Sequence, residues 1–97
     1  MDKHITATLD LTGCDSLQEL HRRIKSSFDF PDYYGSNWDA FWDSITIDSP
    51  AEYVRIVGEH TVPECLHSAL EQIHSILAEC KKHRNDFGDF FDFEIID

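Results

Sequence analysis

The sequence predicts an α/β fold: one small domain over residues 1–97, with a three-stranded parallel β-sheet packed with helices. Two observations carry that expectation. Three short β-prone runs, at residues 5–9, 53–57 and 91–95, are separated by segments whose apolar residues recur every three or four positions. Helical crossovers between successive strands favour parallel pairing. A chain of 97 residues fits one such unit and leaves little room for two.

In the first run Ile5, Ala7 and Leu9 alternate with Thr6, Thr8 and Asp10, the period of a half-buried strand. Gly13 marks a turn, and Ser16-x-x-Glu19 is a capping-box pattern. Leu17, Leu20, Ile24 and Phe28 follow at helical spacing until Pro31, which is expected to end the helix. The segment DFPDYYGSN reads as a structured loop, after which Ser36 or Asn37 can cap a second helix. A break at Asp48-Ser49-Pro50 precedes the second strand, Tyr53 to Val57, closed by Gly58. Thr61-Val62-Pro63-Glu64 offers an N-cap, a proline in the first turn and a capping-box glutamate. The long helix after it carries an apolar stripe of Leu66, Ala69, Leu70, Ile73, Ile76, Leu77 and Cys80. Lys81, Lys82, His83 and Arg84 crowd its end, where the helix dipole favours positive charge. Beyond Gly88, Phe91, Phe93 and Ile95 alternate with Asp92 and Glu94, a last strand with one wetter face.

The charge balance narrows the partners. Nineteen acidic residues against eight basic ones give a formal net charge of −11, which repels nucleic acid and anionic membrane and draws basic partners or cations. Cys14, Cys65 and Cys80 cannot all pair and form no CxxC, and the N-terminus lacks an apolar stretch of signal-peptide length. A reduced, cytoplasmic protein with small buried thiols is the expectation.

The stretch YYGSNWDAFWDSIT concentrates five large aromatic side chains and two Trp-Asp pairs. On a helix, Trp38, Phe41, Trp42 and Ile45 fall within about 100° of one another and point inward. Asp39, Asp43 and Thr46 form a separate stripe roughly 110° around from that apolar centre. Asp39 gains from the helix dipole, whereas Asp43 opposes it at i+4 for a few tenths of a kcal/mol. A solvated acidic face would account for the pair simply. Against that stand the aromatic loop just before it, rich in interface-type residues, and the absence of any lysine or arginine between Lys25 and Arg55.

The same stretch carries a family resemblance. PDYYGSNWDAFWDSIT is similar to the signature of the barstar family, bacterial inhibitors of secreted ribonucleases, which reads P-x-Y-Y-G-x-N-x-D-A-φ-W-D-x-φ-T with φ apolar. Pro31, Tyr33, Tyr34, Gly35, Asn37, Asp39, Ala40, Trp42, Asp43 and Thr46 match in register. The order of expected elements agrees with that family's three-stranded parallel sheet. The resemblance implies a 1:1 inhibitor of a basic ribonuclease, an immunity or antitoxin protein without catalysis or cofactor. Its second helix and preceding loop would enter the nuclease cleft, with Asp43 as central phosphate mimic and Asp39 against another basic group. Tyr33 would stack in the cleft, and Gly35, Asn37, Trp38 and Thr46 would add contacts around them. Glu79 aligns with an acidic contact on the family's last helix through a weaker register match. The chain departs from the family at Ile47 and Asp48, where the type member has glycine and tryptophan, at Trp38 in place of a smaller aliphatic residue, and at residues 85–91, which are longer and more acidic.

Two other classes compete. A hydrolytic or metal site could draw on Asp39, Asp43 and Asp48 with His4 or His60, yet no HExxH, P-loop, nucleophile elbow or EF-hand spacing occurs. His67 and His74 share a helix face seven residues apart, and Cys65 with His67 has no companion pair at zinc spacing. The other alternative is a generic acidic interaction module whose basic partner is not a ribonuclease. It would use the same surface. Neither reading calls for a small-molecule substrate.

Overall fold

Ala7 and Leu9 turn into the core from strand β1 (Thr6–Asp10), while Thr6, Thr8 and Asp10 stay exposed, so the period-two reading holds. The structure, a computed structural model, describes residues 6–31, 34–35, 37–48 and 51–96, Asp48 in its backbone alone. His4, Ile5, Tyr33, Ser36, Ser49 and Pro50, all invoked above, lie outside the described residues.

Strands β2 (Tyr53–Val57) and β3 (Asp92–Ile96) complete one sheet in the order β1-β2-β3, both pairings parallel. Leu9, Ile56 and Ile95 lie in one register row, and Ala7, Val54 and Phe93 in another, which puts six apolar side chains on one face. The opposite face presents Thr8, Arg55 and Glu94, all exposed, with Arg55 reaching Glu94 at 3.9 Å. Parallel sheets usually bury both faces; polar residues let this one keep a face in water. On β3 the apolar face thins toward the end, from buried Phe91 through half-buried Phe93 to exposed Ile95.

Helix α1 (Leu17–Phe28) starts as its capping box predicts, with the Glu19 amide donating to Ser16 Oγ at 3.1 Å. Leu20, Ile24 and Phe28 are buried, but Leu17, in the first turn, is exposed, and His21 takes a place on the buried stripe. The helix ends before Pro31 acts on it. Asp29 adopts the left-handed conformation, φ 54°, and its amide closes on the Lys25 and Ser26 carbonyls.

The long helix α3 (His67–Asp86) buries Ala69, Leu70, Ile73, Leu77 and Cys80, with Leu66 buried in the 3₁₀ turn that leads into it. Thr61 does not cap it. The Thr61 hydroxyl donates to the Gly58 carbonyl at 2.7 Å and accepts the Gly13 amide at 3.1 Å, which ties the exit of β2 to the turn after β1. Gly58 beside it has φ 80°, and a Cβ there would lie 2.5 Å from the Thr12 nitrogen and 2.9 Å from its Cα. Only glycine fits that crossing.

The core also takes in Cys14 and Cys80, whose thiols burial pushes up, Cys80 to about 11. Cys65 departs from the expectation of buried thiols and is exposed. Among the described residues no helix is long and apolar enough to cross a membrane.

Candidate functional site

Helix α2 (Trp38–Asp43) is only six residues long and continues as a π-helical turn over Ser44–Asp48. Six residues cannot sustain a helix on their own. Three devices hold this one in place.

The first is the cap. Asn37, one of the two expected candidates, accepts the Ala40 amide on Oδ1 at 2.8 Å and donates from Nδ2 to the Gly35 carbonyl at 3.3 Å. A Cβ on Gly35 would come within 3.3 Å of that Nδ2, so the small residue lets the cap fold back over the loop. Asn37→Ala is expected to lower stability by about 1 kcal/mol, read as the midpoint shift of a urea titration with an unchanged slope.

The second device is an aromatic cluster beneath the helix. Phe41 is fully buried, with ring centroids 5.9 Å from Phe28, 6.1 Å from Phe30 and 6.3 Å from Trp38. Ile45, in the π-helical turn, is buried with it. Trp42, expected to point inward with them, is only half-buried and stands edge-on to His83 at 5.9 Å. The break from α-helical to π-helical winding follows directly after α2, and Phe41 and Ile45 take the deep positions.

The third device was not read from the sequence. His21 and Tyr34 are both buried, and His21 Nδ1 lies 2.8 Å from the Tyr34 hydroxyl, with the Trp38 ring 4.6 Å from the imidazole. Burial lowers the His21 pKa and raises that of Tyr34, so two neutral groups share this bond. It pins the loop before α2 onto α1. The available signal was His21 at i+4 from Leu17 and i−7 from Phe28, on the apolar stripe of α1. A histidine whose folded pKa lies below its ordinary value of 6.5 stabilises the fold above that pH and loses the contribution as the unfolded chain takes up a proton below it. The melting temperature should therefore fall as pH drops through about 6.5, and less so in His21→Gln. An NMR titration of the His21 ring with a midpoint at or above 6.5 would contradict this.

On this scaffold Asp39 and Asp43 are exposed, and neither makes an ion pair among the described residues. The chain's own cations are mostly engaged elsewhere. Arg22 and Arg23 both pair with Glu19, Lys81 meets Asp92 at 3.1 Å, and Arg84 donates to the Ala51 carbonyl at 2.8 Å. Thr46 is half-buried and donates its hydroxyl to the Trp42 carbonyl at 2.7 Å, which leaves it an acceptor toward any partner. Gly35, Asn37, Asp39, Asp43 and Thr46 thus follow one continuous path of chain. Trp38 leans the other way, against His21 and into a groove with Leu17, Cys65 and Leu66. Glu79 joins from α3, lining a cleft with Trp42, Lys82, His83 and Asp86. Tyr33 lies outside the described residues.

His74 is paired with Glu59 at 2.6 Å, and among the described residues no three metal-ligating side chains come together. What the site offers is carboxylates fixed on a short, braced helix.

The profile of the family described as Barstar (barnase inhibitor) matches residues 4–95. The chain belongs to the Barstar family. A Bacillus subtilis (strain 168) protein named "Putative ribonuclease inhibitor YrdF" is 45% identical over 48 residues, 47% of this chain and 53% of that protein. The match thus spans about half the length of that relative. In this Barstar-family chain the second tyrosine of the signature, Tyr34, is a buried strut, and Asn37 is the helix cap. Much of the signature therefore builds the platform on which its two aspartates stand.

Proposed function

We propose that this chain inhibits a basic ribonuclease of the barnase kind by blocking its RNA-binding cleft in a 1:1 complex. Asp39 and Asp43 on α2 take the places of RNA phosphates, with Asp43 at the centre. Tyr33, Gly35, Asn37, Trp38 and Thr46 make the surrounding contacts, and Glu79 reaches in from α3. The observation that carries this reading is the pair of exposed aspartates on α2, without ion pairs of their own among the described residues, on a chain whose arginines are engaged on other elements.

A ribonuclease cleft is lined with cations placed for phosphates, so carboxylates on a braced helix meet them with little ordering cost. Each carboxylate desolvated there needs a bidentate arginine or a lysine, or its burial opposes binding. The long-range attraction speeds association and weakens with salt. No catalysis, cofactor or small-molecule substrate enters this function. It is exerted in the cytoplasm by a single domain, as immunity or antitoxin activity against the enzyme.

The test is RNA cleavage by barnase titrated with the purified chain. Cleavage should fall to a baseline at one equivalent. Full cleavage under a molar excess of the chain overturns the proposal.

A further inference from the structure

Beyond Asp43 the chain continues into Thr46 and Ile47, which line one wall of a cleft of about 510 Å³. The opposite wall is the C-terminal end of α3 and the turn after it: His83, Arg84, Phe87 and Asp89. Ile47 is 77% exposed and Phe87 72%, the two most exposed large hydrophobic residues among those described. Phe87 is not a loose end. Its ring lies 5.1 Å from His83, which stands edge-on to Trp42 at 5.9 Å. A line of rings therefore runs from the acidic helix to the cleft, and Thr46 belongs to both. Arg84, the cleft's strongest cation, is held by the Ala51 carbonyl at 2.8 Å and lies over the Phe91 ring at 5.1 Å.

We propose that Ile47 and Phe87 form an apolar subsite of the nuclease-binding face, filled by an apolar side chain on the rim of the ribonuclease's cleft. This rests on the function proposed above and names a second kind of contact within it. Charge complementarity selects the occupant. Within the cleft Asp89 is balanced by Arg84, so the charge an occupant must match is that of Asp39 and Asp43 on the adjoining α2, which calls for basic groups beside the apolar one. A second copy of a chain with net charge −11 would set acid against acid. The basic nuclease already meeting α2 satisfies both demands. The two contacts divide the work: carboxylates accelerate encounter, and an apolar anchor shielded from water slows departure.

Barnase is the probe, with association and dissociation followed by surface plasmon resonance at low and high salt. Phe87→Ala and Ile47→Ser should each raise the dissociation rate about tenfold at both salt concentrations, leave the salt dependence of association unchanged and melt like the parent. Asp43→Asn should instead flatten the salt dependence of association. Dissociation within twofold of the parent in both apolar variants overturns the subsite while the function stands. A parent chain that sediments as a dimer, dissociated by Phe87→Ala, also overturns it, by giving the patch to a second copy. A parent chain that fails to bind barnase at all sinks the function, and the subsite with it.

Discussion

Asp43→Ala is expected to weaken the complex with barnase by roughly 2–5 kcal/mol while the free protein melts within about 4 °C of the parent. Asp43 is exposed, makes no ion pair among the described residues, and faces a like charge at i−4, so its removal takes nothing from the fold. In the proposed complex its loss would leave a cationic pocket of the enzyme desolvated and unmatched, and most of the penalty would come from there. The Barstar family's own complexes are among the standard cases of charged interface anchors, and the range is theirs. Asp39→Ala should cost less, and the pair should be non-additive because both act on one field. Calorimetric titration reads the outcome. Affinity unchanged in Asp43→Ala would remove that residue from the centre of the site.

Phe41→Ala should destabilise the fold by about 3–5 kcal/mol, a drop in melting temperature on the order of 15–30 °C. Phe41 is fully buried among Phe28, Phe30 and Trp38, so truncation leaves a cavity lined by stiff rings. The same change at Trp42 should cost less, roughly 1–2 kcal/mol, because that ring is only partly covered where it packs on the edge of the core. Thermal melts of the two variants side by side test the assignment. If Trp42→Ala loses as much as Phe41→Ala, the deep anchor has been misplaced.

That contrast shows what a linear sequence conveys. Period-two alternation around Ala7 and Leu9 and the Ser16–Glu19 box are local signals, and both translate directly into β1 and the start of α1. The parallel sheet follows from helices lying between strands, and its register keeps Ala7, Val54 and Phe93 on one face. Trp42 sits at the edge of the apolar stripe beside His83, where its ring is only partly covered, a depth that periodicity does not convey. Thr61 was misjudged because a hydroxyl able to cap a helix found the Gly58 carbonyl and the Gly13 amide nearer, one of them 48 residues away in sequence. Asp39 and Asp43 were legible as an exposed pair from spacing alone. The brace beneath them was not: the His21–Tyr34 bond joins two positions 13 residues apart whose meeting depends on how the intervening loop folds.

A six-residue helix has no existence apart from the core that holds Phe41. Unfolding and loss of the acidic face are therefore a single event, and a nuclease that gripped the face, as proposed, would hold the whole chain folded. At a free nuclease concentration a thousand times the dissociation constant, the occupied chain gains about 4 kcal/mol against unfolding. Proteases that act through the unfolded state would then clear idle inhibitor far faster than engaged inhibitor. Under the proposed function, the cell's pool of this protein would in that way be matched to the amount of nuclease present.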